Sequence, residues 1–259
     1  MSVVHTIKWK EEDLVLSIDY PKKHTSSNGY KTVIICHGLI GSRVGVDRLF
    51  VKASKALTER GYLVVRFDYK GCGESSGEYG KNTFEDLINQ TKTVIDYTAE
   101  NVAMEELILL GHSLGGAVAV FTAIEDQRVN RLIQWAAVGC PDTDIKGIFG
   151  ESRMAALEKN EQVDFYGYSF YHCYFQSLSD YRPLSKCSSF KGDVFIAHGT
   201  KDDDISVHYL QKYKENYLTR KKGNVSTLLI ENGEHTFSDS NHFNQLINGT
   251  IQWLENGAK

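Results

Sequence analysis

Residues 107 to 125 place the tightest constraint on this chain. The apolar run Leu107 to Leu110 ends in Gly111-His112-Ser113-Leu114-Gly115-Gly116, and the alanine-rich segment Ala117 to Ile124 follows. A buried strand has to stop here and a helix has to start. In such a strand-to-helix elbow the serine takes a strained backbone conformation, and glycines two residues either side let the chain turn and lift the hydroxyl into a cleft. Ser113 is therefore the candidate nucleophile. Gly-x-Ser-x-Gly alone also fits an ordinary glycine-rich turn, so the surrounding chain has to decide.

Strand and helix patterns alternate on both sides of the elbow. Thr6 to Trp9 and Leu14 to Tyr20 alternate polar and apolar residues around Glu11-Glu12-Asp13, which predicts an antiparallel hairpin. Thr32 to Cys36 and Tyr62 to Phe67 are continuous apolar runs, the pattern of strands buried on both faces of a parallel sheet. Leu49 to Arg60 has helical spacing with Gly61 as its stop, and Phe84 to Tyr97 has it with Asn82 or Thr83 as cap. Further on come a helix at Gly115 to Glu125, a strand at Leu132 to Val138, a strand at Val194 to Ala197, a helix at His208 to Leu218, a strand at Val225 to Ile230 and a closing helix at Phe243 to Leu254. This alternation predicts an α/β fold, a mostly parallel sheet with helices on both faces. It breaks between Pro141 and Lys191, where aromatics crowd and no long apolar run appears. The expectation is one core, 1–140 and 192–259, with an inserted cap at 141–191.

Charge and cysteine usage exclude several classes. The 29 basic and 33 acidic residues are scattered and leave a net charge of −4, which gives no nucleic-acid footprint and no polybasic membrane patch. Arg220-Lys221-Lys222, the one basic run, reads as a solvated helix end before Gly223. The five cysteines are widely separated, with no Cys-x-x-Cys pair for zinc or redox work, and fit a reduced compartment. Cys36 and Cys72 read as small buried apolar residues. No segment approaches the roughly 20 apolar residues of a membrane helix, and the first residues lack a secretory pattern. A cytoplasmic protein is expected, with secretion by another route left open. There are no clustered metal ligands, and Gly71-Cys72-Gly73 lacks the Gly-x-Gly-x-x-Gly spacing of a nucleotide site, so no metal and no cofactor are expected.

A serine hydroxyl needs a base within hydrogen-bond reach and a third group to orient that base. Two loops after predicted strands offer both: His198-Gly199-Thr200-Lys201-Asp202-Asp203-Asp204 and Asn232-Gly233-Glu234-His235. With His37-Gly38, Asp68-x-x-Gly71-x-Gly73-x-Ser75 and the elbow, all in this order, the chain resembles the α/β-hydrolase superfamily over nearly its whole length. Val65 to Ser75 and the position of the cap make it similar, more narrowly, to small bacterial cinnamoyl or feruloyl esterases and serine-aminopeptidase-like hydrolases. The resemblance implies a central sheet of about eight strands, Asp202 as acid and His235 as base. Asp203 and Asp204 are the rivals for the acid, and His242 for the base. His198 reads as a strand-end structural residue; His5, His24, His172 and His208 have no motif around them. Backbone N–H groups of Leu39 and Leu114 are the expected oxyanion donors.

The function this implies is a serine hydrolase cleaving carboxylic esters through an acyl-enzyme. Thioester and amide cleavage on the same triad are neighbours, and a catalytically silent binding module of the same fold is the alternative from another class. The expected partner is a small-molecule acyl ester; a homodimer stays open. Tyr166, Tyr168 and Tyr171 are candidates for the substrate pocket, since tyrosine offers flat apolar area with a polar tip. An aminopeptidase would need a cap carboxylate to hold the substrate amine, and Glu151, Glu158, Glu161 and Asp164 are available.

Overall fold

A computed structural model describes residues 1–23 and 26–256; His24 lies outside the described residues. In chain order the elements are β1 (Ser2–Trp9), β2 (Glu12–Asp19), β3 (Tyr30–Cys36), α1 (Leu49–Glu59), β4 (Leu63–Phe67), α2 (Phe84–Asn101), β5 (Met104–His112), α3 (Leu114–Glu125) and β6 (Val129–Trp135). Between β6 and the next strand of the main sheet come α4 (Pro141–Phe149), α5 (Glu151–Leu157), β7 (Gln162–Phe165), β8 (Tyr168–Tyr171), α6 (His172–Leu178) and α7 (Pro183–Lys186). The chain then returns through β9 (Asp193–Gly199), α8 (His208–Leu218), β10 (Val225–Ile230) and α9 (Ser240–Asn256).

Eight strands form one sheet in the order β1-β2-β4-β3-β5-β6-β9-β10. The expected hairpin β1–β2 pairs antiparallel, β2 joins β4 antiparallel, and every other pairing is parallel. Alternate side chains of each strand enter opposite layers, as the two-residue period of a strand requires. Ile34, Val65, Leu109, Leu132 and Ile196 pack with α2, α3 and α8, while Val33, Val64, Leu110, Ile133 and Ala197 pack with α1 and α9. Both faces are therefore covered, which is why these strands read as continuous apolar runs.

Register brings the strand ends level. Cys36 faces Gly111, His112 faces Trp135, Trp135 faces Ala197, and Ile230 faces Gly199. The loops after β3, β5, β6, β9 and β10 consequently open on one edge of the sheet, where open α/β sheets bind their ligands. One expected strand is shorter than its pattern: Leu132 to Val138 leaves the sheet after Trp135. Ala136 takes φ +45°, its N–H bonds Ala197 O, and Val138 N–H bonds Ser113 O at 3.1 Å. The apolar run continues because those residues wrap the elbow, buried there as deeply as in a strand.

The basic run also differs from expectation. The helix ends at Leu218, and the half-buried Arg220 guanidinium donates to the carbonyls of Phe190, Gly192 and Asn224, tying two loops together while Lys221 and Lys222 face solvent. Within 141–191, β7 and β8 form a hairpin of their own around Tyr166 and Gly167, both at positive φ. Phe149 stacks on Phe165 at 4.1 Å, and Phe170 bridges to Gly80, in the loop before α2. Among the described residues no helix is long and apolar enough to cross a membrane.

Candidate active site

Ser113 stands between β5 and α3 at φ 57°, ψ −126°, a strained backbone for a residue with a side chain. Three backbone hydrogen bonds hold it there: its N–H donates to Trp135 O at 3.0 Å, and its carbonyl accepts from Gly116 at 2.9 Å and Val138 at 3.1 Å. Gly115 is required by approach rather than by φ, since a Cβ there would sit 2.2 Å from Cys36 O.

The loops after β9 and β10 interlock. Lys201 N–H donates to Gly233 O at 2.9 Å, and a Cβ on Gly199 would meet that same oxygen at 2.1 Å. Through this contact Asp202 and His235 reach Ser113 together. His235 Nε2 lies 3.0 Å from Ser113 Oγ, and His235 Nδ1 lies 2.8 Å from Asp202 Oδ2. A carboxylate only accepts, so Nδ1 carries the hydrogen, and in the neutral ring Nε2 is left as the acceptor for the serine proton. Burial pushes the Asp202 carboxyl up, but hydrogen bonds from His198 and His235 outweigh it and hold it well below the usual carboxylate range. Ser113 itself is only 5% exposed.

The rivals are placed elsewhere. Asp203 and Asp204 are exposed, and His242 Nδ1 pairs with Glu234 Oε2 at 2.7 Å. His5 is bonded to Tyr97 and His172 to Asn160 O, while His208 is exposed. Leu114 opens α3, so its N–H has no intrahelical acceptor. Leu39 follows Gly38, where a Cβ would come 2.9 Å from Ser113 Cβ, so this loop lies directly against the elbow.

His37, Asp68 and His112 stand in the sequence motifs without a role read for them, and Arg43 stands in none; the structure shows that they brace these loops. His37, fully buried, donates from Nδ1 to Gly38 O and accepts Tyr69 N–H on Nε2. Accepting on Nε2 requires the neutral ring, and burial lowers its pKa below the ordinary histidine value. Arg43 ion-pairs with the buried Asp68 and with Glu74, and its backbone N–H donates to Asp68 Oδ1 at 2.6 Å. This is the role of the Asp68 motif: it clamps the loop carrying Leu39. His112 donates from Nε2 to His235 O at 2.8 Å, and burial followed by the nearby His235 lowers its pKa to about 3. Cys36 and Cys72 are buried thiols; burial raises Cys36 to about 12 and Cys72 still higher. Among the described residues no group of three or more His, Cys, Asp or Glu is arranged to hold a metal ion.

The three tyrosines between 141 and 191 that the sequence singles out separate. Tyr166 is 80% exposed at the hairpin tip, and Tyr171 donates to Glu78 beneath Lys81. Tyr168 is half-buried and meets Tyr79 edge-on at 6.3 Å. Glu151, Glu158, Glu161 and Asp164 all face solvent. Asp144, half-buried, is already occupied by the N–H groups of Gly139 and Cys140 and the Tyr209 hydroxyl.

This fold defines an α/β-hydrolase. Residues 28–160 match the family model described as serine aminopeptidase, S33, and the chain belongs to that family of hydrolases. Among curated relatives it is 34% identical over 131 residues to an uncharacterized 31.7 kDa protein of Escherichia coli, spanning 48% of this chain and 43% of that one. The chain thus matches less than half the length of that relative. It is 23% identical over 230 residues to the mitochondrial palmitoyl-protein thioesterase ABHD10 of Bos taurus, covering 83% of this chain and 70% of that protein. Est1E from Butyrivibrio proteoclasticus, solved with ferulic acid bound, superposes with a TM-score of 0.81 over 97% of this chain and 98% of its own, at 20% identity. That last likeness is one of fold.

Proposed function

We propose that the chain is a serine hydrolase that cleaves carboxylic acyl esters through an acyl-enzyme. The observation that carries this reading is the continuous relay from Ser113 Oγ through His235 to Asp202, 3.0 and 2.8 Å long. Ser113 Oγ attacks the acyl carbonyl as its proton passes to His235 Nε2, and the N–H groups of Leu39 and Leu114 receive the developing oxyanion. The tetrahedral intermediate expels the alcohol, protonated from the same Nε2. Water then repeats the sequence and frees the acid. Asp202 holds His235 in the tautomer that accepts at Nε2 and stabilises the imidazolium.

Ester or thioester cleavage is favoured over aminopeptidase work because the insertion's acidic residues are turned outward or already bonded. The segment 141–191 is read as a cap, with Tyr168, the inward one of the three tyrosines, as its contribution to the substrate pocket. A small acyl ester as partner and a cytoplasmic setting complete the proposal.

A fluorophosphonate probe tests the nucleophile: the wild type is expected to be labelled and Ser113→Ala not, and labelling that persists in Ser113→Ala removes Ser113 from this role. A panel of p-nitrophenyl esters of rising chain length, methyl ferulate, palmitoyl-CoA and an aminoacyl anilide then separates the substrate classes. Turnover of the anilide alone would overturn the ester reading, and turnover of none would favour a binding module.

A further inference from the structure

Asp202 receives more donors than a relay of three requires. Its Oδ1 accepts the backbone N–H groups of Asp204 at 3.0 Å and Ile205 at 2.8 Å. Its Oδ2 accepts His235 Nδ1 at 2.8 Å and also lies 3.0 Å from His198 Nε2. That same Nε2 is 3.0 Å from Ile205 O. Carboxylate and carbonyl oxygens are both acceptors, so His198 Nε2 carries a hydrogen and shares it between them. The His198 and Asp202 side chains are 1% and 0% exposed, so no bulk water competes for this bond.

We propose that His198 is a positioning residue of this site: by donating to the very oxygen that holds His235, it fixes the place of that oxygen and offsets part of its charge. The inference rests on the catalytic assignment above. It also gives a reason for a histidine at the end of β9, where a buried apolar residue would fill the space without a donor. His198 closes a small ring through Ile205, whose carbonyl it binds and whose N–H returns to Asp202 Oδ1. The acid is thereby set against the strand end instead of hanging from a loop.

The electrostatic consequence has one sign whatever charge His198 bears. An N–H donor at Oδ2 weakens the negative potential that His235 meets, so removing the donor strengthens the hold of Asp202 on a protonated His235. The other groups facing His235 stay in place. Ser113 lies at Nε2, and His112, from the end of β5, donates to the His235 carbonyl with its ring 4.9 Å away. Neighbouring Glu234 is engaged by His242.

Ring-carbon NMR titration of His235, assigned against His235→Gln, reads this directly in the intact protein. In His198→Phe the midpoint should rise by roughly half a pH unit or more. In His198→Gln, whose side-chain N–H can reach Oδ2, it should follow the wild type. If His198→Phe does not fold, His198→Asn, whose amide stops short of Oδ2, supplies the donorless case. An unmoved midpoint in the donorless variant, or an equal rise in His198→Gln, overturns the proposal. The titration needs no substrate. A wild type that hydrolyses nothing on the panel would defeat the functional reading while this result still stands or falls by its own midpoint. Hydrolysis with an unmoved midpoint would defeat this inference alone.

Discussion

Three aspartates stand in a row at 202 to 204, and only the first is turned inward, with a side chain wholly out of solvent. On this arrangement Asp202→Asn is expected to lower kcat/KM about 10⁴-fold by leaving His235 in the wrong tautomer, whereas Asp203→Asn should stay within a few-fold of the wild type. Steady-state kinetics on a p-nitrophenyl ester decides, and the reverse ranking would reassign the acid. The hydrogen-bonded set of Ser113, His235 and Asp202, proposed as the relay, could be picked out of the sequence because each sits in a short motif beside a strand end and follows the chain order that the resemblance implies. Their braces could not. Arg43 meets Asp68 across 25 positions and His112 meets His235 across 123, and no local pattern records such pairings.

At the level of elements, α2 shows how a cap is chosen. Thr83 and Asp86 form a reciprocal capping box at its start. Asn82, the other candidate, is fully buried, donates to the carbonyls of Lys70 and Tyr79, and accepts from Gln90. Thr83→Ala should cost about 1 kcal/mol of stability, and Asn82→Ala about 2 kcal/mol or more because it strands buried polar groups; urea denaturation measures both. At the other helix start, Gly115→Ala drives a methyl into Cys36 O and shifts the elbow, so fluorophosphonate labelling should slow by about 10²-fold. Element positions were readable to within a few residues wherever an apolar period was long. The segment 141–191 was readable only as a break in rhythm, because its order comes from aromatic rings of distant residues, such as Phe149 on Phe165, and from backbone contacts such as the bridge to Gly80.

The whole molecule should lose stability in acid in two stages. His112 takes up its proton near 6.5 when unfolded but only near 3 when folded. The unfolded chain therefore binds more protons between those values, and the stability of the neutral ring, complete above about 6.5, is lost as the pH falls, by up to about 1.4 kcal/mol per pH unit. Asp19, Asp86 and Asp126 follow. Burial pushes each up, but Arg66, Lys10 and Arg128 respectively, with local hydroxyl and backbone donors, pull them below the ordinary 3.8, so their contribution disappears only in more acid solution. Urea midpoints between pH 8 and 3 should fall gently and then steeply, and His112→Gln, which keeps a donor for His235 O, should make the first stage shallower while leaving the share of His37, whose pKa burial also lowers.

The hairpin tip at Tyr166 and Gly167 divides the chain unevenly in chemistry. Ser113 lies before it and Asp202 and His235 after it, yet β6 and β9 are adjacent in the sheet and Ala136 bonds Ala197 across the division. A protease that nicks this tip should thus leave two polypeptides that stay assembled and reactive. On a denaturing gel the fluorophosphonate tag should travel with the amino-terminal piece, although that piece, purified alone, should refuse the probe for want of its base.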